Sequence, residues 1–283
     1  MPGILLATTV AMVAFAANSL LARLALADGA IDTASYTVVR LVSGALALGL
    51  FLVLQRRTSL RDLPGNWISA AALAAYALAF SFAYLDLGAA TGALILFASV
   101  QATMIAWSIA RGDWPTSVQW AGLAVAFAAF VYLLLPGIGM PNPRGAMLMI
   151  LSGVAWGVYS IRGGAAASPL AETSGNFVRA APLCLPLLLV GGAGAHASAA
   201  GLWLAVASGV VASGLGYAVW YRVLPRLGST RAAIVQLSVP VIAAGGAILF
   251  LSEPLTARFA VAGTLVLAGV GCAIVARPRR PGG

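Results

Sequence analysis

The sequence predicts an all-α membrane protein with ten transmembrane helices arranged as two inverted five-helix repeats. Three observations lead to this prediction. The chain of 283 residues is 61% apolar and 8% charged, with a mean hydropathy of +1.00, which lies beyond the range of soluble globular domains. Apolar runs near the length that crosses a bilayer recur throughout. Residues of one type also recur at a constant offset, which indicates an internal duplication.

Gly, Pro and charged residues separate ten apolar runs, each approaching the roughly 20 residues that cross the hydrocarbon core as a helix. The predicted helices cover residues 4–26, 36–54, 67–85, 90–110, 118–135, 146–161, 174–190, 202–223, 232–251 and 259–276. The connections between them are short, so we expect no separate soluble domain with an activity of its own.

An offset of 139 residues relates the two halves of the chain. It superimposes three pairs of residues, namely Ser99 and Ser238, Arg23 and Arg162, and Arg40 and Arg179. We therefore expect two repeats, residues 1–140 and 141–283. Because five helices per repeat is an odd number, the second repeat enters the membrane from the opposite side, as in many transporter folds.

All 16 basic residues are arginines, and their distribution predicts the topology. With both termini in the cytoplasm, eleven arginines fall on the cytoplasmic side and only Arg144 and Arg258 on the outer side, which satisfies the positive-inside rule. The eleven are Arg56, Arg57, Arg61, Arg111, Arg162, Arg222, Arg226, Arg231, Arg277, Arg279 and Arg280. We expect the lipid bilayer as partner and no nucleic acid, because no separate basic patch is present.

The residues needed for catalysis or metal binding are scarce. The chain has one histidine, His196, in a Gly/Ala/Ser-rich connection, and no lysine. No His, Cys or Asp cluster has the spacing of metal ligands. The carboxylates all fall at predicted helix ends or in loops: Asp28, Asp32, Asp62, Asp86, Asp113, Glu172 and Glu253. We expect neither an enzyme nor a cofactor, and the absence of a carboxylate within a span argues against proton-driven export of cations.

Aromatic residues form the clearest candidate site. Tyr76, Phe80 and Tyr84 recur every four residues on one face of the third predicted helix, and an offset of 137 places Tyr217 and Tyr221 on the last two. Such a stripe also occurs at lipid-facing or interfacial positions. Its duplication in both halves favours a shared cavity wall.

Other polar or amphipathic side chains lie within predicted spans, namely Asn18, Gln101, Trp156, Tyr159 and Gln236. Each is a candidate to line the cavity or, alternatively, to join two helices by hydrogen bonds. Pro240 lacks a backbone N–H and is expected to kink the ninth helix near the bilayer centre, where it would act as a hinge.

Two arginines, Arg40 and Arg179, lie inside predicted helices near opposite surfaces of the membrane. Each either snorkels or pairs with a carboxylate at its own surface, which is Asp28 or Asp32 for Arg40 and Glu172 for Arg179. In the alternative interpretation each attracts the carboxylate of a passing substrate. The sequence leaves both interpretations open.

The chain resembles the EamA-type branch of the drug/metabolite transporter superfamily. The resemblance rests on Ser238-Val239-Pro240 and on the turn Leu251-Ser252-Glu253-Pro254-Leu255-Thr256. Within the branch it is most similar to YddG-like amino acid exporters. That similarity implies an inner-membrane protein with a central cavity walled by both halves, two peripheral helices (the fifth and tenth), and alternating access without ATP. The first half departs from the pattern, with Gln101 where the second has Pro240.

We therefore expect a secondary transporter or facilitator that exports amino acids or similar small metabolites from the cytoplasm, as a monomer. The candidate cavity wall consists of Asn18, Tyr76, Phe80, Gln101, Trp156, Tyr159, Tyr217 and Gln236. Efflux of cationic or aromatic drugs is the nearest alternative, because aromatic faces attract cations. A channel would need a more continuous polar lining, and an intramembrane enzyme would need a base.

Overall fold

The computed structural model describes residues 2–55, 63–112, 114–135, 140–163, 168–191 and 195–275. Those residues form twelve α-helices and one π-helical segment, the π segment. The elements are α1 (Pro2–Leu26), α2 (Thr33–Leu54), α3 (Trp67–Asp86), α4 (Ala89–Ala110), α5 (Ser117–Leu134), α6 (Pro143–Gly163), α7 (Pro169–Cys184), α8 (Pro186–Gly191), α9 (Ala199–Ala207), the π segment (Ser208–Leu215), α10 (Gly216–Gln236), α11 (Ser238–Leu251) and α12 (Ala257–Val275).

The all-helical prediction is confirmed for this part of the chain. Six helical stretches in the described ranges are long and apolar enough to cross a membrane: Gly3–Leu26, Thr33–Leu54, Trp67–Asp86, Ala89–Ala110, Pro143–Gly163 and Ala199–Leu224. The apolar stretches Ser117–Leu133, Ser238–Leu251 and Ala257–Cys272 are shorter. Several predicted loop charges lie outside the described residues, namely Arg56, Arg57, Arg61, Asp62, Asp113, Arg277, Arg279 and Arg280.

The predicted helix boundaries are wrong in two places. The predicted seventh helix, 174–190, begins earlier, at Pro169, and is divided at Leu185 into α7 and α8. The division precedes Pro186, whose ring disfavours helical backbone in the residue before it. The predicted connection 224–231 lies inside α10, and the next helix starts at Ser238 rather than at residue 232.

Small residues bring neighbouring helices close together, as the sequence predicts. A Cβ at Gly153 on α6 would lie 2.5 Å from the Cβ of Ser99 on α4, and one at Gly157 would lie 2.8 Å from the Cβ of Thr103. Both distances are too short for any side chain larger than hydrogen. The close approach of α4 and α6 therefore depends on these two glycines.

The π segment packs against α2 in the same manner. A Cβ at Gly209 would clash with the carbonyl oxygen of Arg40 and would lie 3.0 Å from the amide nitrogen of Gly44. In turn, Gly44 leaves room for the Phe177 ring, 2.8 Å from where its Cβ would be. The backbone of α2 around Arg40 is therefore held between two helices of the second half.

The helix contacts follow a regular scheme. In the first half, α3 and α4 pack against α6; on the other side, α10 and α11 pack against α1. Contacts between α2 and α7, between α4 and α11, and between α5 and α12 join the halves. The largest fully buried side chains include Arg40, Tyr36, Tyr84, Phe80 and Phe177, so the centre of this helical bundle is rich in aromatic residues.

Candidate functional site

Five of the predicted site residues meet in one place, which we call the aromatic cluster: Tyr76 and Phe80 on α3, Trp156 and Tyr159 on α6, and Tyr217 on α10. The ring of Trp156 lies 4.8 Å from Tyr76, 5.3 Å from Tyr159 and 5.3 Å from Tyr217, centroid to centroid. Trp156 and Tyr217 are stacked at an interplanar angle of 15°. Trp156 is therefore the ring that joins the two helices of the second half to α3 of the first.

Helical spacing explains why these rings converge. Tyr76 and Phe80 are one turn apart and their centroids are 5.5 Å apart, and Tyr84, one turn further on, lies 4.7 Å from Phe80. On α1, Phe15 lies 5.6 Å from Tyr217. The predicted face of α3 is thus turned towards the second half and away from lipid, where all of these tyrosines are buried.

Arg40 lies against this cluster and is 1% exposed. Its Nη2 donates to the Tyr76 hydroxyl at 2.8 Å, and its guanidinium lies 4.8 Å from the centre of the Phe80 ring and 5.2 Å from that of Tyr76. Its Nε and Nη1 have no hydrogen-bond partner. None of the described carboxylates lies within ion-pair distance of it, so this arginine is charged, buried and unpaired.

The predicted pairing of Arg40 with Asp28 or Asp32 is therefore wrong. Asp32 precedes α2 and accepts a hydrogen bond from the Ser35 amide at 2.9 Å, which caps the helix. It also accepts from the amide of His196 at 3.1 Å. Its acceptor capacity is used at the surface, about 10 Å along the helix axis from Arg40 at 1.5 Å per residue.

Arg179, the repeat mate of Arg40, has different partners. Its Nη1 donates to the carbonyl of Gly175 at 2.9 Å and to that of Pro64 at 3.5 Å, and its Nη2 donates to the carbonyl of Leu63 at 3.3 Å. The predicted pairing with Glu172 is wrong, because none of the described ion pairs includes Arg179. Arg179 instead holds the backbone that leads into α3.

Asn18 is committed to a helix contact. It accepts a hydrogen bond from the Ser208 hydroxyl, and its Nδ2 donates to the Ser213 hydroxyl at 3.4 Å. Both serines belong to the π segment, so Asn18 ties that segment to α1. This is the alternative role that the sequence left open for such residues.

Gln101, Gln236 and Pro240 lie away from the aromatic cluster. Gln101 is buried beside an apolar cavity of about 660 Å³ between α4, α5, α6 and α12. Gln236 ends α10, and the described contacts of the cluster do not include it. The break between helices falls at Leu237, so Pro240 lies in the first turn of α11 rather than inside a helix, where a missing N–H is tolerated. Its action as a hinge stays a prediction.

Tyr36 is a member of this region that the sequence reasoning missed. It is fully buried one turn before Arg40 on α2 and lies close to both Arg40 and Ser208, and its hydroxyl makes no hydrogen bond of standard geometry. The spacing Tyr-x-x-x-Arg was visible in the sequence, because residues four apart share a helix face.

The second missed feature is a group of contacts that we call the end clamp. Glu253, in the turn before α12, forms an ion pair with Arg23 at 3.2 Å and accepts from the amide of Ala89 at 2.9 and 3.1 Å. Arg23 also donates to the carbonyl of Tyr84 at 3.1 Å. The clamp joins the ends of α1 and α3 to the start of α4, where Gly88 supplies no capping side chain.

Comparison with known proteins identifies the family. A family model of EamA-like transporters matches residues 143–275, from α6 to α12. An uncharacterized protein of Pseudomonas aeruginosa is 48% identical over 275 residues, which cover 97% of this chain and 95% of that protein. The chain belongs to the EamA-like transporter family.

An uncharacterized transporter of Archaeoglobus fulgidus is 27% identical to this EamA-like chain, over 72% of the chain and 74% of the relative. One solved crystal structure shares the fold, with a TM-score of 0.68 at 18% identity, over 96% of this chain and 97% of the other. These findings confirm the resemblance to the drug/metabolite transporter superfamily. The EamA-like chain is a membrane-embedded transporter, and members of its family are not enzymes in general.

Proposed function

We propose that this transporter exports amino acids or similar small metabolites from the cytoplasm by alternating access, in the manner of YddG-like exporters. The aromatic cluster, with Arg40 beside it, is the central site. The observation that carries the proposal is that rings from α3 in one half and from α6 and α10 in the other meet around Trp156. A solute held between them contacts both halves, and relative movement of the halves changes the side from which it is reached.

The pattern of helix contacts supports an inverted repeat of ten spans, residues 1–140 and 141–283. Counting α7 with α8 as the seventh span and α9 to α10 as the eighth, the contact of α3 with α6 has its mate in that of α10 with α1. The contact of α4 with α6 likewise has its mate in that of α11 with α1. Contacts between equivalent helices, such as α5 with α12, are what a two-fold axis in the membrane plane produces.

The same arrangement sets the orientation that we propose. With both termini in the cytoplasm of a bacterial-type inner membrane, Arg111 and Arg162 lie on the cytoplasmic side and Arg144 and Arg258 on the outer side. Arg40 is then nearer the outer surface and Arg179 nearer the inner one. We propose a monomer as the working unit.

Export of cationic or aromatic drugs is the second candidate, and the aromatic cluster favours it, because ring faces attract cations. The charge of Arg40 opposes it. The guanidinium lies 4.8 and 5.2 Å from two rings of the cluster, where it would repel a cation in the same space. This balance places solutes with a negatively charged group ahead of dicationic drugs.

Counterflow in reconstituted vesicles tests the proposal. Vesicles loaded with unlabelled amino acids are expected to accumulate labelled amino acid from outside, with saturation and with stimulation by the internal solute. A linear, conductive leak would contradict a carrier, and uptake of dicationic drugs alone would favour the second candidate. Repeating the assay with an imposed pH gradient tests proton coupling, for which the described spans offer no carboxylate at mid-helix.

A further inference from the structure

The buried guanidinium of Arg40 lacks a counter-charge within the described residues. A charge removed from water is normally balanced by an ion pair or by a full set of hydrogen bonds. Arg40 has five N–H donors in a planar fork, and its Nε and Nη1 have no acceptor. An ionised side chain kept in this condition within a membrane span indicates that its partner arrives from outside the chain.

A second donor stands beside it. The Tyr36 hydroxyl, one turn earlier on α2, is fully buried and makes no standard hydrogen bond. Ser208 lies next to it but donates its own proton to Asn18. The hydroxyl of Tyr36 and the free N–H groups of Arg40 therefore form a compact set of donors that lacks an acceptor.

The surroundings of this donor set narrow the ligand further. The rings of Tyr76 and Phe80 lie under the guanidinium, and Trp156 continues the aromatic surface. The acidic groups nearest to the cluster stand at its ends, with Glu172 near Tyr159 and Glu253 near Tyr84. Neither forms an ion pair with Arg40.

Resting on the proposed function, we propose that Arg40 and Tyr36 bind the carboxylate of the transported solute, and that the solute is a monocarboxylate with a flat apolar group. The planar fork of Arg40 matches the two oxygens of a carboxylate, and the aromatic cluster covers the apolar group. No acidic side chain faces the ammonium group of an amino acid at this position. The amino group is therefore dispensable, and the carboxylate is required.

The repeat mate supports the assignment to a single residue. Arg179 has three backbone carbonyls within hydrogen-bond distance of its guanidinium, so it has a structural task and its charge is screened by those dipoles. Only the first-half arginine keeps donors in reserve. The carboxylate site is therefore single and lies on one side of the repeat axis.

The test uses the purified full-length protein and three probes: phenylalanine, phenylalanine amide and 3-phenylpropanoate. Equilibrium binding to the wild type is expected to be at least about tenfold tighter for the two acids than for the amide, because the amide leaves the donors without an ionised acceptor. The acid without an amino group is expected to bind as tightly as phenylalanine. Equal binding of amide and acids, or no binding of any probe, would overturn the proposal.

Two variants locate the effect. Arg40→Gln is expected to abolish the preference for acid over amide, whereas Tyr36→Phe, which keeps the ring, is expected to weaken both acids by about threefold to tenfold. Arg162→Gln, whose partners are Ser69 and Asn66, is the matched control and should bind as the wild type does. An acid preference that persists in Arg40→Gln would refute the assignment.

Failure of this inference is distinct from failure of the proposed function. If vesicles carry amino acids while the amide competes equally with them, the carboxylate site is refuted and export stands. If 3-phenylpropanoate binds through Arg40 and no amino acid is moved, the carboxylate site stands and the amino acid proposal falls.

Discussion

Arg40 and Arg179 occupy the same position in the two repeats, yet they have opposite surroundings. Arg40 contacts two rings and one hydroxyl and keeps two nitrogens without an acceptor. Arg179 donates to three backbone carbonyls. Duplication supplies two buried arginines, and the second copy became a bracket for the chain while the first stayed free. Function is therefore to be sought where the repeats differ.

Stability gives the largest expected contrast between the two arginines. Replacing an unpaired buried charge by an apolar side chain of similar length removes a desolvation penalty, so Arg40→Met is expected to raise the free energy of unfolding by about 1 to 4 kcal/mol. Arg179→Met leaves buried carbonyls without donors and is expected to lower it by about 1 to 3 kcal/mol. Thermal unfolding of the ligand-free protein in detergent measures both, and changes of equal sign would break the comparison.

The aromatic cluster provides the next test, because it joins the halves that the arginines distinguish. Trp156→Ala removes the ring that contacts Tyr76, Tyr159 and Tyr217 and is expected to reduce transport by at least about tenfold with expression retained. Trp203→Ala is the matched control, since Trp203 is 74% exposed on α9. Wild-type transport by the Trp156 variant would remove this residue from the site.

Arg23 and Arg162 form a second pair of repeat mates and sharpen the comparison. Arg23 pairs with the carboxylate of Glu253, whereas Arg162 donates to the neutral groups of Ser69 and Asn66. Arg23→Gln is expected to lower the free energy of unfolding by about 1 kcal/mol at low salt and less at high salt, because the ion pair is partly exposed.

Arg162→Gln, as the counterpart, is expected to lower the unfolding free energy by about 0.5 to 1 kcal/mol. That loss should be independent of salt, because no ion pair is broken. Unfolding of both variants in two salt concentrations makes the measurement. A salt-dependent loss for Arg162→Gln, or a salt-independent one for Arg23→Gln, would contradict the contrast.

The smallest effect concerns the helix starts that precede the two buried arginines. Asp32 caps α2, whereas Ser168, before α7, makes no capping hydrogen bond with its side chain. Burial raises the pKa of Asp32, but hydrogen bonds from Ser35, His196 and Ala34 outweigh burial and hold the pKa below its usual value. Asp32→Ala is expected to destabilise by up to about 1 kcal/mol at neutral pH and Ser168→Ala by almost nothing.

The pH dependence follows from the lowered pKa. Because Asp32 loses its proton more readily in the folded protein, its ionised form adds stability that is complete above about pH 4. That contribution disappears as the pH falls through the folded-state pKa. Unfolding of wild type and Asp32→Ala between pH 3 and 7 should therefore converge at the acid end, and a constant difference would refute the assignment.

The sequence predicts much of the fold, because apolar runs and short connections decide where membrane helices form. The face of α3 that carries Tyr76 and Phe80 was also predictable, since the helical period alone brings these rings together. The partners of Arg40 were not. Whether a buried arginine meets a carboxylate depends on contacts between helices distant in sequence, and Asp32 is engaged in capping its own helix instead.

Other features depend on long-range contacts in the same way. Glu253 reads as part of a turn, and its role as cap of α4 exists only because the second half folds back onto Ala89, 164 residues away in sequence. The π segment has no sequence signal of its own beyond Gly209 and its neighbours. Its backbone is set by contact with α2, so the segment follows from packing.

The π segment also decides which way the helix after it points. A π turn holds more residues than an α turn, so it rotates everything that follows about the helix axis. One residue removed from Ser208–Leu215 would turn α10 by about 100° and carry Tyr217 away from Trp156. The bulge is thus the phase setting of the aromatic wall, and the length of this stretch constrains the protein as strictly as the identity of any side chain in it.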